Sequence, residues 1–235
     1  MSDLTGEQRS RYVQSMFSRI AGRYDLMNRL MTAGQDGRWR QTVIQKTQLP
    51  PNGQLLDIGT GTGDIAREGI RACPDLLAVG ADFTLEMMRI GRDDPSRQGI
   101  RWAGADALAL PFPDGSFHAV TSGFLLRNVI DPAAAFREQV RVTRPGGWVV
   151  VLESSPPKQN ALRPFIRFHL NTVIPLLGRL IAGDAEAYRY LPESTQAFQD
   201  PESLVMIMAD CGLTNVTYEL FMFGTVAIHS GRKIE

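Results

Sequence analysis

Apolar positions divide the chain into a helical opening, a long stretch where strand and helix alternate, an apolar interruption, and a closing helix with two strands. Helical spacing at residues 14–20 and 26–31, continued by Trp39, Val43 and Ile44 through 38–47, predicts three helices before Pro50-Pro51-Asn52-Gly53 stops the run. Short apolar runs then predict strands at 54–58, 76–81, 100–105, 119–124 and 148–152. The stretches 64–72, 84–92 and 132–142 between them carry helical spacing. Arg144-Pro145-Gly146-Gly147 reads as a helix stop followed by a strand start. A helix at 202–210 precedes strands at 216–222 and 225–229, which only Phe223-Gly224 separates, so they should form an antiparallel hairpin.

Alternation of this kind builds βαβ units. The expected architecture is a Rossmann-like α/β fold, a mostly parallel seven-stranded sheet closed by the C-terminal hairpin. One domain is expected over 1–235: a helical cap at 1–50, a cofactor-binding core at 54–154, a helical insertion at 160–195, and the final helix and hairpin at 200–233. The insertion is apolar and flecked with arginine. Pro164, Pro175 and Gly178 interrupt it too often for one straight helix.

Composition narrows the partners. Lys plus Arg and Asp plus Glu balance at 25 each, so no net field favours nucleic acid. The first ten residues are polar, unlike a secretory leader, and no apolar run reaches the roughly 18 residues of a membrane span. Cys73 and Cys211 stand far apart without metal-ligand spacing and read as small packing residues. A cytoplasmic, metal-free protein is expected.

The candidate chemistry begins at Leu55-Leu56-Asp57-Ile58-Gly59-Thr60-Gly61-Thr62-Gly63-Asp64. A glycine-rich turn between strand and helix lets the backbone approach a ligand and offers free N–H groups. A dinucleotide could use it too, because Asp82, about twenty residues on, stands where an acid grips ribose hydroxyls in either case. The Gly-x-Gly-x-Gly spacing and the acid at Asp64 favour a ligand without a pyrophosphate. S-adenosylmethionine, with its ammonium and sulfonium, suits a negative lining from Asp57 and Asp64. Asp106 beside Ala107 ends the third strand, where a carboxylate can accept from an adenine amino group, and Phe83 and Met87 would wall the ring. The cofactor candidates are therefore Asp57, Gly59, Thr60, Gly61, Thr62, Gly63, Asp82, Phe83, Met87, Asp106, Ala107 and Gly123.

Several longer strings resemble the ubiquinone/menaquinone biosynthesis C-methyltransferases, within the class I S-adenosylmethionine methyltransferases. They are Ile20-Ala21-Gly22-Arg23-Tyr24-Asp25-Leu26-Met27-Asn28, the run 107–114, Leu126-Arg127-Asn128-Val129, and the run 183–194. The resemblance covers about 17–233 and implies methylation of a ring carbon on a prenylated quinol. Thr62, Asp82, Asp106 and Ala107 match family cofactor positions. The chain departs from the family's usual residues at Ser18, Gly22, Gly123, Leu125, Ser154, Pro156 and Ser230, near loops expected to face the acceptor.

Such a transfer needs a dry pocket and a group that stabilises a phenolate. Arg127, beside Asn128 at the end of the fourth strand, is the expected stabiliser. His169, Tyr188, Tyr190 and Asp184 are candidates for the general base, and each could equally be a packing or surface residue. The insertion would cover a greasy substrate and touch membrane lipid, or else form a homodimer contact. Two alternatives stay open: the same fold acting on another phenolic or lipid-like molecule, and a non-catalytic cofactor-binding subunit. A dehydrogenase stands further off.

Overall fold

In the computed structural model, the structure describes residues 6–156, 163–184 and 186–234. Residues 1–5 of the expected helical cap, residues 160–162 of the expected insertion, and Ala185 lie outside them. The alternating stretch folds as β1 (Gln54–Ile58), α4 (Asp64–Ala72), β2 (Leu77–Asp82), α5 (Leu85–Asp93), β3 (Arg101–Gly104), β4 (Phe117–Gly123), α6 (Pro132–Val142) and β5 (Thr143–Ser154). Ahead of it stand α1 (Gly6–Ile20), α2 (Tyr24–Met31) and α3 (Asp36–Lys46). After it come α10 (Pro201–Asp210), β6 (Leu213–Phe221) and β7 (Val226–Lys233).

The strands form one seven-stranded sheet in the order β3-β2-β1-β4-β5-β7-β6. Strands β1 to β5 pair in parallel, and β7 runs antiparallel between β5 and β6. The central strands are buried on both faces, which is why Leu55, Leu56 and Ile58, like Val149 to Leu152, read as continuous apolar runs. The edge strand β6 is mostly exposed or half-buried along its length. Helices α3 and α4 cover one face through Trp39, Val43, Ile65 and Ala66, and α6 and α10 cover the other through Phe136, Val142, Leu204 and Met208. Phe136 is wholly buried, so truncating it to alanine should cost about 3–5 kcal/mol.

Both outer helices start on the same device. Asp131 accepts the Ala134 amide and Asp200 the Ser203 amide, each with proline at the first helical position. The expected stop at 144–147 lies inside β5, as an irregularity between the Phe117–Thr143 and Ala119–Trp148 pairs that lets Gly146 adopt φ 74°. The hairpin between β6 and β7 turns at Met222–Gly224, with Met222 at φ 48° and Phe223 at φ 58°.

The interruption expected at Pro164, Pro175 and Gly178 is corrected by the structure. Residues 163–182 form one continuous helical run: α7 (Arg163–Phe168), a π-helical stretch His169–Val173, α8 (Ile174–Leu177), and a second π stretch Gly178–Ala182. The wider π turn just before Pro175 absorbs the missing N–H and the ring clash that would break an α-helix. Gly178 is no breaker either: a Cβ there would stand 2.3 Å from Cβ of Tyr188, so glycine lets α9 (Ala187–Gln196) approach. This run, α9, α1 and α2 share a third apolar cluster, including Met16, Met27, Ile174 and Tyr188, against which Phe83 at the carboxyl end of β2 packs.

Candidate active site

Ligands of open α/β sheets bind beyond the carboxyl ends of the strands, and two neighbouring structures occupy that position here. The first is the glycine loop after β1. Thr60 anchors it twice, its amide donating to the Ala81 carbonyl at 3.1 Å and its hydroxyl to Asp57 at 2.6 Å. Thr121 donates to the other Asp57 oxygen at 2.9 Å. Burial nevertheless pushes the Asp57 carboxyl up to about 7, because desolvation outweighs those two hydroxyl donors. Asp82, at the end of β2, accepts the Gly61 amide at 2.8 Å and the Thr84 amide at 2.7 Å, and burial raises its pKa as well.

The loop's shape depends on glycine where the backbone is left-handed. At Gly63 φ is 91°, and a Cβ would stand 2.6 Å from the Trp102 ring. The Met87 methyl comes within 3.2 Å of where a Gly61 Cβ would be, and Leu125 closes over Gly59. Asp106 is exposed at the end of β3 and accepts the Leu108 amide at 2.9 Å, while Ala107 turns into the core. Gly123 packs beneath Ile65, and Phe83 presents its carbonyl to Gln14 of α1.

Asp64 does something other than the sequence suggests. Its carboxylate lies among Arg40 at 3.0 Å, Arg67 at 3.2 Å and Arg97 at 2.9 Å. Burial works to raise its pKa, but these guanidinium groups win and hold it below the usual carboxylate range. Its charge is spent inside the protein, so it lines no cationic ligand. Arg97 also binds Asp25 at 2.6 Å, and Asp25 accepts the Thr62 hydroxyl at 2.7 Å, which fastens α2 to the glycine loop.

The second structure is a cavity of about 370 Å³ beside the β4 and β5 ends. Its wall is mostly apolar. Trp39, Phe124, Leu191 and Val226 come from the scaffold, Ile166, Leu170 and Ile174 from the helical run, and Met222 and Phe223 from the hairpin turn. Polar groups enter at few places: Tyr24, Asn28, Asp36 and Arg40 on the N-terminal helices, Arg127, Ser154, His169, Thr195 and Thr225 elsewhere. The loop 124–127 joins the two structures, since Leu125 touches Gly59 while Phe124 and Arg127 line the cavity.

Arg127 is 8% exposed, and its Nη1 donates to Glu153 at 2.6 Å and to Ser154 at 3.2 Å. The guanidinium lies 4.9 Å from the Phe124 ring centre. Its Nε is buried without a hydrogen-bond partner among the described residues. Glu153 is wholly buried, and the sequence reading missed it. The signal was present: a lone acid closing the apolar run 149–152 at a strand's carboxyl end.

The four base candidates separate cleanly. His169 lines the cavity, with Nε2 3.2 Å from the Met31 carbonyl, which can only accept. Nε2 is therefore the donor, and in the neutral ring the lone pair falls on Nδ1. Tyr190 donates to Asn128 at 3.0 Å and packs edge-on against Tyr12. Asn128 in turn donates to the Phe124 carbonyl, so it braces the loop from behind. Tyr188 is wholly buried with its hydroxyl unpartnered among the described residues, and burial raises its pKa. Asp184 caps α9 through the Ala187 amide and pairs with Arg19 at 2.9 Å. Of the seven departures from the family pattern, only Ser154 belongs to the cavity wall.

A model described as the ubiE/COQ5 methyltransferase family matches residues 4–233. The chain belongs to that family. It is 48% identical to a demethylmenaquinone methyltransferase of Roseiflexus castenholzii, over 97% of this chain and 95% of that one. A ubiquinone/menaquinone biosynthesis C-methyltransferase of Desulfotalea psychrophila is 47% identical over 94% of this chain and 90% of its own. Among solved structures, a SAM-dependent methyltransferase from Thermotoga maritima superposes with a TM-score of 0.65 at 18% identity, covering 93% of this chain and 98% of that one. That likeness speaks for the fold. This ubiE/COQ5-family methyltransferase thus places its glycine loop and its apolar cavity side by side, joined by one short loop.

Proposed function

We propose that this methyltransferase moves the methyl group of S-adenosylmethionine onto a ring carbon of a prenylated quinol. The observation that carries the reading is the largely apolar cavity, with Arg127 in its wall, abutting the glycine loop through Leu125. The names of the relatives from Roseiflexus castenholzii and Desulfotalea psychrophila point the same way. The residues of the loop fit the donor: left-handed glycines at 59, 61 and 63 that leave the backbone bare of side chains, a buried carboxyl at Asp57 for an ammonium, and Asp82 and Asp106 at strand ends for ribose and adenine. When bound, the donor supplies an electrophilic methyl group on sulfur.

The protein's own residues prepare the acceptor. Apolar walls exclude water, which strengthens each polar contact that remains. Arg127, fixed by Glu153, offers a donor to a ring oxygen as phenolate character develops. His169 Nδ1 takes the phenolic proton, which makes the adjacent ring carbon nucleophilic. After transfer the ring carbon gives up its proton to solvent and the His169 imidazolium returns its proton to the ring oxygen, which restores the aromatic phenol. A prenylated ring has to leave its bilayer for this cavity, and no helix among the described residues is long and apolar enough to cross a membrane, so the reading includes a transient contact with a membrane surface.

Labelled S-adenosylmethionine incubated with a demethylated menaquinol or ubiquinol precursor should yield a labelled quinol. Label entering no prenylated ring, with transfer to other phenols, would turn the assignment to the same-fold alternative.

A further inference from the structure

The helical run 163–182 has an unusual outer face. Its inner residues Ile166, Leu170, Ile174, Leu177 and Ile181 line the cavity or pack on the third apolar cluster. Its exposed positions, which include Arg167, Asn171, Thr172 and Arg179, also carry large apolar side chains: Phe165 is 73% exposed, Phe168 61%, Leu176 52% and Leu180 72%. Large apolar side chains clustered in the open mark an interaction surface. Phe223 stands 69% exposed on the hairpin turn. Phe165 and Phe223 also belong to the cavity wall, so side chains this exposed mark its opening. The left-handed backbone at Met222 and Phe223 is costly for bulky residues, and strain of this kind persists where surrounding structure and function hold it.

Charge decides between occupants. The run contains Arg163, Arg167 and Arg179 and no Asp or Glu, in a chain whose acids and bases balance overall. Arg167 and Arg179 are exposed beside the apolar residues. A second copy of this chain would set arginines against arginines across a twofold axis. An anionic lipid surface would meet them with opposite charge while the aromatic and leucine side chains enter the acyl boundary.

We propose that the outer face of 163–182, together with Phe223, docks on an anionic bilayer, so that the acceptor passes from lipid into the cavity between Phe165 and Phe223 without crossing water. This rests on the reading that the acceptor is a prenylated ring. Contact with the membrane here is interfacial, with Phe168, Leu176 and Leu180 as the inserted residues and the arginines at headgroup level.

The test uses the full chain and vesicles of phosphatidylcholine with or without phosphatidylglycerol, read by flotation. Wild type should float with the anionic vesicles and remain behind with neutral ones, and raising the salt should release it. The pair R167Q and R179Q should weaken flotation about 30-fold. The pair F168S and L180S, also outside the cavity wall, should weaken it by roughly tenfold or more. Both pairs should keep turnover on a short-tailed, water-soluble quinol and lose turnover on a long-tailed quinol held in vesicles. Equal flotation of the variants and wild type overturns the proposal. So does a wild-type dimer in light scattering that F168S and L180S convert to monomer while wild type ignores vesicles. Anionic flotation without transfer to any quinol leaves the docking face standing and removes the function reading instead.

Discussion

The glycine loop and the cavity lie side by side, yet they are made in opposite ways. The loop's own residues come from one stretch, 54–106, held by short polar contacts of Thr60 on Asp57 and of Gly61 and Thr84 on Asp82, with Thr121 of β4 and Asp25 of α2 adding a contact each from outside it. The cavity gathers residues from α2, α3, the β4 loop, the helical run, α9 and the hairpin turn, with an apolar wall and one wholly buried acid, Glu153, behind it. A binding site for a small charged molecule can be written locally, because backbone amides and strand ends supply its geometry. A site for a long apolar molecule needs area, and area has to be collected from the whole chain.

The largest expected effect tests whether the cavity half hangs on its buried Arg127–Glu153 pair. Removing one partner from a buried pair leaves an uncompensated charge, so Glu153→Ala should lose about 3–5 kcal/mol by denaturant unfolding, with activity gone. Replacing both Arg127 and Glu153 with leucine should recover most of that stability while activity stays absent. A double variant as unstable as Glu153→Ala would show that the pair holds the fold, and the contrast between a hydrogen-bonded half and an apolar half would fail.

Next in size is His169→Ala, which should lower kcat by roughly 100-fold or more and leave the Kd for S-adenosylmethionine within about twofold. A kcat within about tenfold of wild type would move the base elsewhere.

The same division explains what could be read from sequence. Strand β1 and helix α4 begin and end where the apolar spacing places them: a parallel strand buried on both faces writes itself as a short continuous run, and a helix buried on one face as a repeat of three to four. The stretch 163–182 reads as too interrupted for one straight helix, because proline and glycine mark breaks only when the backbone stays α-helical. Here a π turn precedes Pro175, and Gly178 serves the approach of Tyr188, a contact ten residues away. Asp64 misled for a similar reason: local position suggested a ligand, and its partners Arg40 and Arg97 come from distant segments that no spacing rule connects.

The pH response should differ between the halves. Asp57 ionises at about 7 in the folded protein against 3.8 ordinarily, so between those values the folded state holds a proton that the unfolded chain has released. Its contribution to stability therefore falls as pH rises from about 4 to 7 and is level above. Affinity for a cationic donor should move the other way, strengthening by up to about tenfold per unit as Asp57 ionises and levelling above 7. Titration calorimetry at pH 6 and 8 reads this, and Asp57→Asn should flatten it. A flat wild-type profile would remove Asp57 from donor binding.

The smallest effect probes the seam between the halves. Tyr190→Phe deletes the hydroxyl that donates to Asn128, which itself braces the Phe124 carbonyl. One half-buried hydrogen bond is worth about 1 kcal/mol, which for a chain of this length lowers Tm by roughly 2–4 °C. Because Asn128 holds the loop whose Phe124 and Arg127 face the cavity, KM for the quinol should rise while donor affinity stays unchanged. Leu125 of the same loop rests on Gly59, so a parallel loss of donor affinity would mean that the loop transmits strain from cavity to glycine turn. The two halves would then be one mechanical unit, and the local site would owe its shape to the collected one.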